Sequence, residues 1–171
     1  MSQTKTEKKT VNEIVHEIVL DFLTQLGLDA EITIDIVESD EDKADFKYAR
    51  TSLNGENLGE IIGFRGTMLE SIQTILSLIL NKTLKREGID GNFRLLIDIN
   101  AYKQQREKYL ISYAQRAAED VKNSGQPLEL SPMKPSERRI VHMALKNEEG
   151  IETSSVGEGE LRRVVLSPKN K

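Results

Sequence analysis

From residue 11 the chain repeats apolar side chains at helical spacing. Val11, Ile14, Val15, Ile18, Val19, Phe22, Leu23 and Leu26 share one stripe, and Gly27 follows as a helix-ending residue. This spacing predicts an amphipathic helix over 11–26. The period then drops to two. Ile32, Ile34 and Ile36 alternate with Glu31, Thr33 and Asp35 as in a half-buried strand, and an acidic turn from Glu38 to Asp42 closes it. A second strand is expected at about 45–53, a chain break at Asn54-Gly55 and a short helix at 58–62. Thr67-x-x-Glu70 reads as a capping box for a helix over 67–81, whose apolar positions are Leu69, Ile72, Ile75, Leu76, Ile79 and Leu80. Past Gly88 and Gly91, the alternation of Phe93, Leu95, Ile97 and Ile99 predicts a third strand. The resulting order, α-β-β-α-α-β, is that of an α+β fold.

A further helix is expected from Ala101 to Asn123, with Tyr109, Leu110, Tyr113, Ala114, Ala117 and Val121 at helical spacing and Gly125-Gln126-Pro127 as its terminator. Its cations, Lys103, Arg106, Lys108, Arg116 and Lys122, read first as a solvated face and only second as a nucleic-acid contact. No glycine- or serine-rich linker, internal repeat or low-complexity tract interrupts the chain, which implies two units held in a fixed relation. A last helix begins at Pro135, with Ile140, Val141, Ala144 and Leu145 as its buried stripe.

Two short patterns carry chemistry. Gly63-Phe64-Arg65-Gly66 lies between the short helix and the long one. Glycines three apart turn the chain sharply without a Cβ clash, and backbone N–H groups at the next helix N-terminus then face outward, where phosphate is favoured. Arg65 adds a positive charge. A bare G-x-x-G also serves ordinary helix joints, so its setting between two helices gives it weight. The second pattern is Arg138 and His142, whose i, i+4 spacing sets a guanidinium and an imidazole side by side on one exposed helix face, able to grip a phosphate or stack on a base. An isolated Arg-x-x-x-His is most often plain solvated surface, and only context raises it above that.

The element order around Ile61-Ile62-Gly63-Phe64-Arg65-Gly66 resembles a type II KH domain covering about residues 11–100. The resemblance implies a three-stranded mixed sheet with three helices on one face, and a groove beside the loop for about four single-stranded nucleotides. Relatives often carry two basic residues in this loop. Phe64 stands in one of those places, so either backbone affinity is lower or Phe64 supplies an apolar contact. The string Pro135-Ser136-Glu137-Arg138-Arg139-Ile140-Val141-His142, preceded by Leu128 to Met133 and followed by Gly157 to Val165, is similar to the R-three-H domain, a small α/β module that binds single-stranded nucleic acid. A KH domain followed directly by an R-three-H domain resembles the Jag (SpoIIIJ-associated) family of bacterial proteins.

That resemblance divides the chain into a polar tail at 1–10, a KH domain at 11–100, and a linker helix with the R-three-H domain at 101–171. It implies single-stranded RNA as ligand, held by Gly63, Phe64, Arg65, Gly66, Arg138 and His142, with Arg162 and Arg163 as further contacts. Strand alternation should turn only one of those last two arginines toward the ligand. The separate N-terminal Jag domain common in the family finds no room before the helix at 11–26. The family also implies a post-transcriptional role tied to cell elongation and division, a small KH-only partner protein, and a functional link to the YidC-type insertase. A protein-interaction adaptor with little RNA binding is the alternative class, although Arg65 between two glycines favours the RNA reading.

Composition bounds the rest. At 171 residues there is room for one large or two small domains. The absence of cysteine excludes disulfides and thiolate metal sites and is compatible with a reducing cytoplasm, the expected location. No apolar run approaches a membrane span and the first ten residues lack a signal-peptide core. With two histidines, no Walker loop and no metalloprotease spacing, neither catalysis, a metal nor a cofactor is expected. The net charge of −4 opposes a polyanion, but it is unevenly spread: residues 1–57 hold 6 basic and 13 acidic side chains, and 58–171 hold 18 and 15. Both motifs lie in the basic part.

Overall fold

The computed structural model describes residues 9–38 and 46–169. The chain forms two compact units, the first ending at Tyr102 and the second beginning at Lys103.

The first unit opens with helix α1 (Val11–Gln25). Thr10 caps it: its hydroxyl accepts the Glu13 N–H at 3.3 Å, and the Glu13 carboxylate accepts the Thr10 N–H at 2.7 Å. Strands β1 (Glu31–Glu38) and β2 (Lys47–Asn54) pair antiparallel, from Glu31 opposite Asn54 to Glu38 opposite Lys47. The acidic turn expected after Glu38 lies outside the described residues. Helices α2 (Gly59–Ile62) and α3 (Thr67–Arg86) then lead to β3 (Phe93–Ile99), which runs parallel to β2 in the order β1-β2-β3. One sheet face is covered. Ala49, Leu53, Leu95, Ile97 and Ile99 meet Ile14, Val19 and Leu23 of α1 and Leu69, Leu76, Leu80 and Leu84 of α3.

Two expectations for α3 need correction. It runs on to Arg86 rather than stopping at 81, because Leu84 continues the apolar stripe into the core and is fully buried. Nor does a Thr67–Glu70 capping box start it. Gly66 is the N-cap, in a left-handed conformation, and the Thr67 hydroxyl donates instead to the Phe64 carbonyl at 2.8 Å.

The polar residues of α3 have a structural task. β3 is an edge strand, and its outward N–H groups need acceptors. Gln73 Oε1 accepts the Ile97 N–H at 2.7 Å, Ser77 Oγ the Leu95 N–H at 2.9 Å, and Asn81 Oδ1 the Phe93 N–H at 2.8 Å; Asn81 also donates to the Phe93 carbonyl at 2.6 Å. The spacing explains the match. Four helical residues rise about 6.0 Å and two strand residues about 6.6 Å, so side chains at i, i+4 and i+8 meet alternate strand amides in turn.

In the second unit, α4 (Tyr102–Ser124) is followed by β4 (Leu128–Glu129), α5 (Pro135–Ala144), β5 (Ile151–Val156) and β6 (Arg163–Pro168), all three strands antiparallel in the order β4-β6-β5. Ala114, Ala118 and Val121 of α4, Val141 of α5, the following Leu145, and Ile151, Val164 and Leu166 of the sheet form its core. Pro135 occupies the first helical turn, where its missing N–H costs nothing. The buried stripe of α5 differs from expectation: Ile140 and Ala144 are only half-buried, while Glu137 is 7 % exposed. Its carboxylate is accommodated because Arg106 donates to one oxygen at 2.7 Å and the Lys134 N–H to the other at 3.2 Å. Among the described residues no helix is long and apolar enough to cross a membrane.

The edge ladder yields a prediction. Asn81→Leu keeps the side-chain bulk but leaves the Phe93 N–H and C=O without these partners. It should lower stability by about 2–4 kcal/mol, read by urea denaturation, as expected for stranded backbone groups. A loss below about 0.5 kcal/mol would mean that water replaces the amide without cost.

Candidate nucleic-acid interface

The loop between α2 and α3 is built by backbone conformations that L-residues avoid. Gly63 has φ 68° and ψ −174°, and a Cβ there would lie 2.5 Å from Met68 Cβ. Gly66 has φ 75°, and a Cβ would approach Tyr102 Cε1 to 3.0 Å. Arg65 between them is itself left-handed, at φ 51° and ψ 33°. Phe64, Arg65 and Gly66 make a tight turn, with the Gly66 N–H on the Gly63 carbonyl at 3.3 Å. This turn holds Phe64 75 % exposed at the loop tip, with the Arg65 guanidinium 4.7 Å from its ring centroid. Gly66 offers α3 no side-chain cap, so the positive end of a 20-residue helix opens directly beside Arg65. The brace from Tyr102 was not legible in the sequence, because Tyr102 begins another helix.

In the second unit the structure gathers most of the expected residues at one end of the sheet. The Arg138 guanidinium donates to the Met133 carbonyl at 2.9 Å, and the Met133 N–H donates to the Arg162 carbonyl at 3.1 Å, so one residue links both arginines. His142 lies across β5, with Nδ1 2.8 Å from Thr153 Oγ1 and Nε2 2.9 Å from Ser155 Oγ. This corrects the picture of an exposed Arg/His face: both residues are half-buried, and the imidazole is held by two hydroxyls. A neutral ring has one donor and one acceptor nitrogen, and a hydroxyl can serve either. Burial first, then the positive charge of Arg138, pushes the His142 pKa below its usual 6.5. The ring is therefore neutral near pH 7. Thr153 and Ser155 were missed, since a Thr-Ser-Ser run shows no motif until β5 faces α5.

Arg163 goes elsewhere. Its guanidinium donates to Glu129 Oε2 at 3.0 Å and to the Leu161 carbonyl at 3.2 Å, on the side of β6 opposite the buried Val164 and Leu166. Arg162 is exposed, two residues before Val164, which is the cross-strand partner of Ser155. No group of three or more His, Asp or Glu able to hold a metal occurs among the described residues.

A mixed β1-β2-β3 sheet with a G-x-x-G turn entering α3 is the architecture of a type II KH domain, and the second unit, with its Arg138–His142 pair over an antiparallel sheet, is that of an R-three-H domain. Residues 16–89 match the KH domain of KhpA/KhpB, and residues 108–168 match the R-three-H domain. Over 160 residues the chain is 33 % identical to RNA-binding protein KhpB of Clostridium symbiosum, an alignment covering 93 % of this chain and 68 % of the relative. It is 32 % identical over 126 residues to RNA-binding protein KhpB of Bacillus subtilis (72 % of this chain, 58 % of the relative). The chain belongs to the KhpB family. A KhpB from Streptococcus pneumoniae is 31 % identical over 123 residues, which cover 70 % of this chain and 36 % of that longer protein.

Two outcomes follow from this geometry. Gly63→Ala should cost roughly 1–3 kcal/mol, because the methyl group meets Met68 Cβ and the backbone leaves its glycine-only region; an unchanged denaturation midpoint would show the turn relaxing freely. For His142, the unfolded chain takes up a proton near pH 6.5 while the native ring resists, so stability falls as pH drops through that value. Denaturant titrations at pH 7.5 and 5.5 should show a larger loss for the parent than for His142→Gln. Equal losses would exclude a ring held neutral by its surroundings.

Proposed function

We propose that this chain binds single-stranded RNA through both units, one at the turn Gly63–Gly66 and the other around Arg138, His142 and Arg162. The observation that carries the reading is the turn itself. Two glycines hold conformations that a side chain would obstruct, Arg65 adopts a strained left-handed backbone, and the result presents a cation and an uncapped helix N-terminus together. A structural joint needs none of that. The relatives named as RNA-binding proteins support the same ligand. In the second unit, Arg138 supplies charge, and the neutral His142 ring donates to one of Thr153 and Ser155, leaving that hydroxyl free to donate to a ligand, while it accepts from the other; Arg162 extends the basic edge, and Arg163 balances Glu129. The wider role is that of a post-transcriptional regulator, chaperone-like toward RNA and linked to elongation and division, a reading that rests on family resemblance, as does the functional link to the YidC-type insertase.

One observation favours a protein partner as well. Met68, Ile75, Leu78 and Ile79 are exposed along α3, away from the core, which suits the small KH-only protein that the family implies.

The experiment is a pair of binding titrations. Phe64→Asp together with Arg65→Asp places two carboxylates where phosphate should sit and should abolish binding at the first unit, with little change in thermal stability. For the parent, log affinity should fall with log salt at a slope of about −2 to −3.5, as for roughly three to five phosphate contacts on a single strand. Undiminished binding by the double variant would make the turn structural. A flat salt dependence would instead favour stacking or a protein ligand. Because linked sites raise each other's local concentration, Arg138→Ala should weaken binding of an RNA of roughly 15–20 nucleotides about tenfold while leaving a five-nucleotide RNA unaffected.

A further inference from the structure

Helix α4 carries a feature that neither phosphate-directed site uses. Arg106, Tyr109, Tyr113 and Arg116 recur at i, i+3, i+7 and i+10, which places them on one helix face, about 90° around from the buried Leu110, Ala114, Ala117 and Val121. Tyr109 and Tyr113 lie nearly parallel, 13° apart, with ring centroids 6.0 Å from each other. Stacked rings in contact are about 3.5–4 Å apart, so a 6.0 Å centroid spacing means that they overlap only in part. Tyr109 accordingly stays 51 % exposed. A lone surface tyrosine would swing freely. This one is flanked by Tyr113 on one side and by the Arg106 guanidinium, 5.2 Å from its ring centroid, on the other, and Arg106 is itself fixed by the buried Glu137 carboxylate.

We propose that Tyr109 and Tyr113 form a stacking platform for unpaired RNA bases, a further contact of the second unit beyond its phosphate-gripping end. The inference rests on the reading that this unit takes single-stranded RNA. Three observations favour bases over an apolar protein partner. The face sets two aromatic rings one turn from Arg116, whose guanidinium donates to the Ser112 carbonyl rather than to a carboxylate, a combination that holds single strands by stacking and charge together. Glu107, the carboxylate nearest Tyr109 in sequence, projects from the opposite side of the helix, and the first carboxylate on the platform's own face, Asp120, comes a full turn beyond Arg116. Glu137 also ties the two sites mechanically: it holds Arg106 from α4 and directly precedes Arg138 on α5, so platform and phosphate contact share one anchored turn.

The test uses the full chain carrying Phe64→Asp and Arg65→Asp, so that the second unit is read alone, and a roughly ten-nucleotide single-stranded oligouridylate, within the usual range of single-strand site sizes. In that background Tyr109→Leu should weaken binding about tenfold, whereas Tyr109→Phe should bind within twofold of its parent because the ring is kept. The Leu effect should vanish on an oligonucleotide of the same length with abasic sugars, which has phosphates but nothing to stack. Photo-crosslinking of the same oligomer with 4-thiouridine should yield adducts on Tyr109 or Tyr113, a readout that a merely structural role would not give. If Tyr109→Leu binds as its parent does while Arg138→Ala loses binding, the platform is overturned and the RNA reading of this unit stands. If Arg138→Ala also binds unchanged, both fall together.

Discussion

Placement of the Gly63–Gly66 turn depends on how α3 is fixed to the edge of its sheet. Apolar packing alone would let a 20-residue helix slide or roll over a layer of leucine and isoleucine, because dispersion contacts are individually weak and non-directional. The Gln73, Ser77 and Asn81 bonds to the backbone of β3 are directional, and each one fails if the helix shifts by a residue. They fix rotation and translation together. Because α3 begins at Thr67, immediately after Gly66, the same bonds determine where the helix N-terminus opens and where Arg65 stands. A ladder that protects an edge strand from foreign pairing thereby becomes the reference frame of the G-x-x-G loop.

The loop then transmits that frame through conformations with little freedom. Gly63 and Gly66 occupy positive φ for reasons of space as well as torsion, since Met68 and Tyr102 fill the volume a Cβ would need. Close packing around a glycine works in both directions. It forbids substitution, and it deprives the glycine of the mobility usually credited to it. The Phe64 ring and the Arg65 guanidinium accordingly project from a stiff support. At the tip, the Phe64 ring is 75 % exposed with the Arg65 guanidinium 4.7 Å from its centroid, so the turn presents apolar surface and charge side by side.

Much of this was legible in the chain. Periodicity located α1, α3, β1 and β3 of the first unit, because burial there is one-sided and the periods of 3.6 and 2 are cleanly separated, while β2 and the short α2 were placed by the order of elements and the Asn54-Gly55 break. The misses share a cause. Thr67-x-x-Glu70 has the letters of a capping box, but Gly66 had already taken the cap position, and tertiary geometry decides between them. The end of α3 was placed early because Leu84 follows three polar residues, Asn81, Lys82 and Thr83, and its burial comes from packing in the core. Gln73, Ser77 and Asn81 look like ordinary polar positions until β3 arrives. In the second unit, the proximity of Arg138, His142 and Arg162 was expected from resemblance. The roles of Thr153, Ser155 and Met133 were not, since each depends on which strand residue faces which helix residue, and one-residue register differences are invisible in a sequence.

In a chain of net charge −4, what the arginines of the second unit are bonded to matters more than their number. Arg163 and Arg106 are neutralised by Glu129 and Glu137 and work as struts. Arg138 is held by a carbonyl, which directs the guanidinium without cancelling its charge. His142 is kept neutral by burial and by that same charge, so it orients two hydroxyls without adding a second positive group to a crowded turn. The carboxylate-paired Arg106 and Arg163 thus serve the scaffold, while the carbonyl-anchored Arg138 keeps its charge. The number of basic residues therefore says less about nucleic-acid affinity than the identity of the acceptor each of them has already found.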